Sequence, residues 1–187
     1  MATGGDGKWL GELPLTPGPL DPAAVQAHVL GESIPDDPAA ARLVRDYYRR
    51  LKEAHVLAEA PPRPTVGGSF VGAAACRGCH ETAYELWAAS PHAHALETLV
   101  RRGKEGAPEC VACHTLGAGY TGGFVDAATT PERGGVQCES CHGVGSNHAA
   151  NPTAEYGRAD AATCRRCHTP ERSPRFDFPA YWRRIVH

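Results

Sequence analysis

The sequence predicts a mainly α fold with long loops, split into a helical N-terminal segment at 1–66 and a cysteine-bearing domain at 69–187. Three observations predict it. All eight cysteines fall in the second part, and none in the first. Short stretches with helix-start residues and helical spacing alternate with runs rich in Gly and Pro. Large apolar side chains are scarce, with one Met, four Phe and three Trp against 21 Gly and 16 Pro. A core of side chains alone would be weak, so something else must fill the middle.

The elements follow in order. Trp9-Leu10-Gly11-Glu12-Leu13-Pro14-Leu15 alternates weakly and reads as an edge strand, with Pro14 where no ladder bond is needed. Asp21-Pro22 opens a short helix that Gly31 closes. Asp37-Pro38 repeats that start, and Leu43, Val44, Tyr47, Leu51 and Ala54 recur at helical spacing, predicting an amphipathic helix over 38–57. Pro61-Pro62-Arg63-Pro64 makes a stiff linker, placed at 61–68. Beyond it the spacing predicts helices over 81–90 and 91–102, a Gly- and Thr-rich loop over 117–130, and a turn of helix at each later cysteine pair. The last of these follows an Asp160 cap. A C-terminal helix over 179–186 starts near Asp177, and little strand is expected in this half.

The cysteines identify the filling. They form four copies of one pattern: Cys76-Arg77-Gly78-Cys79-His80, Cys110-Val111-Ala112-Cys113-His114, Cys138-Glu139-Ser140-Cys141-His142 and Cys164-Arg165-Arg166-Cys167-His168. C-x-x-C-H is the attachment pattern of c-type haem. On one helical turn, positions i, i+3 and i+4 share a face. Two thiols therefore reach two vinyl groups of one porphyrin while the histidine reaches the iron. Zinc ribbons would use the pairs two at a time and need no histidine after each. A disulfide framework would leave those histidines without a role. The expectation is a small haem-packed multihaem cytochrome domain with four covalently attached haems.

Composition excludes other classes. A formal net charge of -2 over 187 residues offers no basic stripe for nucleic acid. No apolar run approaches the roughly 20 residues needed for a transmembrane segment. Residues 1–18 lack a basic n-region and an apolar h-region, so they do not read as a signal peptide.

His80, His114, His142 and His168 are the expected proximal ligands. The other axial positions draw on a short list of donors. Methionine raises the potential of a c-type haem, but Met1 is the only one. His28, His55, His92, His94, His148 and His187 remain, so mostly bis-histidine, low-potential haems are feasible. His28 and His55 read as surface residues of the N-terminal segment. Tyr84 and Trp87 follow the first motif at helical spacing and suit porphyrin packing.

Ser69-Phe70-Val71-Gly72 before the first motif, Tyr84, Trp87, Ser90-Pro91-His92 and Ala95 after it, Gly135-Val136-Gln137 through Gly143, Gly145-Ser146-Asn147-His148, Ser173-Pro174-Arg175-Phe176-Asp177-Phe178, Tyr181-Trp182 and Ile185-Val186-His187 carry a family likeness. Together they resemble the multihaem cytochromes of the cytochrome c-554 type. The resemblance implies a mainly helical fold with closely stacked porphyrin pairs, and distal ligands at His92, His148 and His187. It also admits one five-coordinate haem. Elimination gives that site to His114, with His94 open as a cap for the same iron. More faintly, the strand, the proline-broken stretch and Asp36-Asp37-Pro38 ahead of Val66-Gly67-Gly68-Ser69 resemble the tail of a periplasmic metallophosphatase fused to such a cytochrome. No residues match a phosphatase metal site.

The leading expectation is electron transfer, periplasmic or extracellular, with redox protein partners docking at a haem edge. An electron carrier is favoured over an enzyme. Arg165 and Arg166 beside the fourth motif read either as propionate partners or as solvated cations. Two rival readings stay open. One is a redox enzyme acting on a small nitrogen or sulfur species at a five-coordinate haem, for which Thr115 and Tyr120 are weak acid–base candidates. The other is a subunit of a conducting filament, an oligomer in which His28 or His55 could be donated between chains.

Overall fold

A computed structural model describes residues 8–15, 17–19, 24–31 and 33–187. They divide into two compact units, Met1–Arg42 and Leu43–His187. The division falls inside a helix.

In the first unit, β1 (Trp9–Glu12) pairs antiparallel with β2 (Gln26–Val29), Trp9 opposite Val29 and Glu12 opposite Gln26. The expected helix ending at Gly31 is therefore a strand over its second half. Its Asp21-Pro22 start lies outside the described residues. Pairing with β1 satisfies the backbone groups of Gln26–Val29, and the His28 ring meets Glu12 diagonally across the ladder at 2.9 Å. A ladder partner distant in sequence outweighs the local cap signal.

Helix α1 (Pro38–Glu53) starts as expected, with the Asp37 carboxylate accepting from the backbone N–H of Ala39 and Ala40 at 3.0 and 2.8 Å. It stops short of the expected end because His55 takes a left-handed conformation at φ 47°. The chain turns there into α2 (Val56–Glu59), which brings Leu57 against the buried cluster of Leu99, Val111 and Phe124.

The proline stretch is a pinned strap. Arg63 donates its N–H to the Gly119 carbonyl and accepts from the Thr121 N–H, each at 2.9 Å. Its guanidinium sits 4.1 Å over the Tyr120 ring.

The cysteine-bearing part is built of short helices: α3 (Ala73–Cys76), α4 (Glu81–Ala88), α5 (Ala95–Val100), α6 (Pro108–Val111), α7 (Cys138–His142), α8 (Ser146–Ala150), α9 (Ala161–Arg165) and α10 (Phe178–Trp182). Each motif starts on or beside one of them, so the helical-turn logic of C-x-x-C-H holds locally. Asp160 caps α9 by accepting from the Thr163 N–H, and Asp177 caps α10 by accepting from Ala180. The expected helix over 91–102 begins only at Ala95, after turns through 91–94. Among the described residues, the only pairing of this part outside β1 and β2 is the pair of isolated bridges Arg63–Tyr120 and Thr115–Gly134. The protein is mainly α with long loops. No helix of the described residues is long and apolar enough to cross a membrane.

The side-chain core is small. Leu99, Ala107, Val111, Leu116 and Phe124 are buried around the second motif, and of the smaller residues Ala95 and, ahead of the first motif, Ala73 are buried as well. Around the first and third motifs, polar side chains tie the backbone together instead.

A cavity lined by cysteines and facing histidines

Two residues of the third motif region hold the chain leading into the first. The buried Glu139 carboxylate accepts from the N–H groups of Val71, Gly72 and Gly145, the last two at 2.7 Å. The buried Gln137 side-chain oxygen accepts from the Ala73 N–H at 2.7 Å, and its amide donates to the carbonyls of Glu132 and Gly134. Trp87 donates from Nε1 to the Val136 carbonyl at 2.7 Å. These are charge-assisted or fully satisfied bonds in a buried setting, where an orphaned partner is expensive. They set α4 and α7 on either side of a cavity of about 500 Å³. Cys76, Cys79, Cys138 and Cys141 line it, with Tyr84, Trp87 and Tyr156. A volume of this size falls within the roughly 300–1,000 Å³ of small-molecule and cofactor sites.

The thiols of different motifs meet. Cys76 and Cys138 interact, which together with burial raises Cys76 far above the usual thiol range and, against the effect of burial, lowers Cys138. Cys113 and Cys167 repeat the contact. It lowers Cys113 to about 6, helped by the Arg172 guanidinium, and raises Cys167. Burial raises Cys141, and the neighbouring Cys164 adds to that. First and third, third and fourth, and second and fourth motifs are therefore neighbours.

The histidines form close pairs. Ring centres of His80 and His148 are 6.1 Å apart, those of His92 and His168 6.2 Å, and those of His142 and His187 5.9 Å. Interplanar angles are 29°, 54° and 59° in the same order. Four rings donate from Nδ1 to backbone carbonyls: His114 to Ala95 at 2.9 Å, His142 to Gly157 at 2.7 Å, His148 to Ala154 at 3.1 Å and His187 to Ile185 at 3.0 Å. A carbonyl only accepts, so the proton is on Nδ1 and the Nε2 lone pair is free. Burial, and then the nearby His168, lowers the pKa of His92, and burial lowers that of His168; both changes favour the neutral, ligating ring.

Among the described residues, no group of three or more His, Cys, Asp or Glu converges to hold a bare metal ion.

The candidates that the structure does not bring together are equally plain. His94 is exposed, with Nδ1 2.9 Å from Glu97 and Nε2 3.2 Å from the Ala88 carbonyl. The carboxylate raises its pKa. Both nitrogens are taken, so it does not face His114. No other histidine ring pairs with His114 among the described residues. His28 is committed to Glu12, and His55 serves as the break between α1 and α2. Thr115 is buried and donates to the Val111 carbonyl, and Tyr120 lies under Arg63. Arg166 donates to the Ser140 carbonyl at 3.2 Å.

Sequence reasoning passed over Tyr156, Arg172, and the anchoring roles of Gln137 and Glu139. An acidic residue inside a C-x-x-C-H motif was the available signal for Glu139. Tyr156 and Arg172 had none.

Cysteine pairs lining one cavity with facing histidines define the class, a c-type cytochrome with covalently bound haem. Residues 75–143 match the family described as cytochrome c554 and c-prime. Cytochrome c-554 of Nitrosomonas europaea is 34% identical over 93 residues, covering 42% of this chain and 40% of that protein. Residues 75–143 of this chain are thus similar to cytochromes of the c-554 type. The match spans well under two thirds of the relative's length. No solved structure gives a significant match.

Proposed function

We propose that this chain is a tetrahaem electron-transfer module working in the periplasm or outside the cell, with three bis-histidine haems and one haem held by His114 alone. The observation that carries the reading is the spacing of the facing rings. With a metal–imidazole bond of about 2 Å and a ring centre roughly 1.1 Å behind the nitrogen, two trans imidazoles have centres about 6.2 Å apart. His80 with His148, His92 with His168 and His142 with His187 stand within 0.3 Å of that figure (6.1, 6.2 and 5.9 Å). Cavity size and the lining cysteines fit the same group. Haem supplies a one-electron ferric/ferrous couple, and the chain holds four such couples within reach of one another.

Each residue set has its part. Cys76 and Cys79, Cys110 and Cys113, Cys138 and Cys141, and Cys164 and Cys167 supply thioether attachment. The carbonyls on Nδ1 orient the rings and make them better ligands. Neighbouring thiols put the first motif beside the third, the third beside the fourth and the fourth beside the second, so each couple has an adjacent one. With no methionine available to the irons, the potentials lie low. Covalent attachment of this kind takes place outside the cytoplasm, which supports the compartment. Partners are redox proteins.

The test is a pyridine haemochrome count with intact mass, followed by a spectroelectrochemical titration. Four haems per chain, titrating at low potential, are expected. A count below four, or a high-potential component that accounts for more than one haem, overturns the reading.

A further inference from the structure

One segment of four residues grips the rings of two different sites. Ala154 accepts the Nδ1 proton of His148 at 3.1 Å, and Gly157 accepts that of His142 at 2.7 Å. Between them the Tyr156 ring stacks on His148 with centres 4.9 Å apart and planes 6° from parallel. The same ring stacks on His142 at 5.8 Å and 23°. These are favourable offset-stacking distances for aromatic pairs. Tyr156 is fixed in turn, donating its hydroxyl to the Gly143 carbonyl at 2.5 Å, just past the end of α7. Gly157 comes so close to the His142 carbonyl that a Cβ there would collide with it. The His92 and His168 pair has no such link. Phe176 stacks on His168 at 4.7 Å and 11°, and touches neither of the other pairs.

We propose that residues 154–157 are a shared clamp on two iron sites, with Tyr156 the positioning residue that fixes the ring planes of His148 and His142 together. The proposal rests on the ligand reading above and goes beyond it. His148 faces His80 and His142 faces His187, so the clamp spans the first and third sites. Disturbing Tyr156 then alters both sites at once. Outer partners of ligating histidines change metal binding by about 10–100-fold when removed, so a shared partner has reach over both.

The experiment uses the fully loaded protein and low-temperature EPR of its ferric state. The g-max of a low-spin ferric haem follows the angle between its axial imidazole planes, which a generally loosened fold would not move selectively. The unaltered protein is measured first. Fewer than three low-spin signals overturn the ligand reading and this proposal with it. In Tyr156→Leu, two of the three signals move and broaden, while the third, from His92 and His168, keeps its position. Tyr156→Phe retains the ring and loses only the bond to Gly143, so the same two signals move by less. Three unmoved signals in Tyr156→Leu, or movement of only one, overturn the shared clamp and leave the ligand reading intact. Should Tyr156→Leu lose haem, Gly157→Ala decides the question, since it displaces the same segment. Two moved signals support the clamp, and fewer overturn it.

Discussion

The surroundings of the second motif and those of the first and third are built on opposite plans. Around Cys110, Cys113 and His114 the interior is made of side chains, with Val111, Leu116 and Phe124 fully or almost fully buried. Around Cys76 and Cys138 the interior is a cavity of about 500 Å³ walled by cysteines, histidines and aromatic rings. His114 has its Nδ1 anchored on a backbone carbonyl, as His142, His148 and His187 do, yet no histidine ring pairs with it among the described residues. The difference teaches that a chain poor in large apolar residues can spend its few on one site. Around the first and third motifs it relies on ties from Glu139, Gln137 and Trp87 about a hollow. The histidine beside the protein core has no ring partner among the described residues, whereas His80, His142, His148 and His187 around the cavity are paired.

Replacing both Cys138 and Cys141 by Ala should have the largest effect. The haem count falls from four to three, and loss of the filling collapses the cavity, which mass and near-UV circular dichroism would register. A haem count still at four would break the distinction between hollow and filled sites. Phe124→Ala attacks the other plan and should cost about 3–5 kcal/mol. Thermal unfolding with EPR as a second readout checks it, since the low-spin signals of the paired sites should stay in place.

Glu139→Gln removes a charge that three backbone N–H groups share. It should cost about 2 kcal/mol, a drop in Tm of roughly 4–8 °C for a chain of this size. The loss should fall on haem retention at the first and third motifs. A similar loss at the second would blur the two plans.

The smallest effect is one of pH. Asp126 accepts from the N–H groups of Ala128 and Thr129, each at 2.8 Å, in the loop next to the buried Phe124. The Thr129 N–H bond is the main cause that holds its carboxyl below the ordinary value of 3.8; burial opposes it, and the Ala128 bond adds to it. A depressed folded pKa means the unfolded chain binds the proton first. The stabilisation is thus present above about pH 4 and is lost as the pH falls through the folded value. Tm measured from pH 5 to 3 should fall less in Asp126→Asn than in the unaltered protein.

Much of this was legible in the sequence where the chemistry is local. The C-x-x-C-H spacing needs only one helical turn, and the Asp37, Asp160 and Asp177 caps act within three residues. What depends on distant partners was not legible. Gln26–Val29 read as the end of a helix because its ladder partner, Trp9–Glu12, lies across a long connection. On one stretch, His92 read as a distal ligand and His94 stayed open as a cap for the iron on His114. The turns before Ala95 aim the first at His168 and give the second to Glu97. Tyr156 sits in an ordinary loop, and only the fold shows that it lies between two rings.

Spin-quantified low-temperature EPR of the oxidised, fully loaded protein tests the central claim most directly. The account predicts three low-spin haems, one for each facing pair, and one high-spin haem on His114. It also predicts the most rhombic signal for His80 and His148, whose planes are closest to parallel at 29°. Four low-spin haems would contradict it, since His114 would then have a partner ligand that the facing rings do not supply.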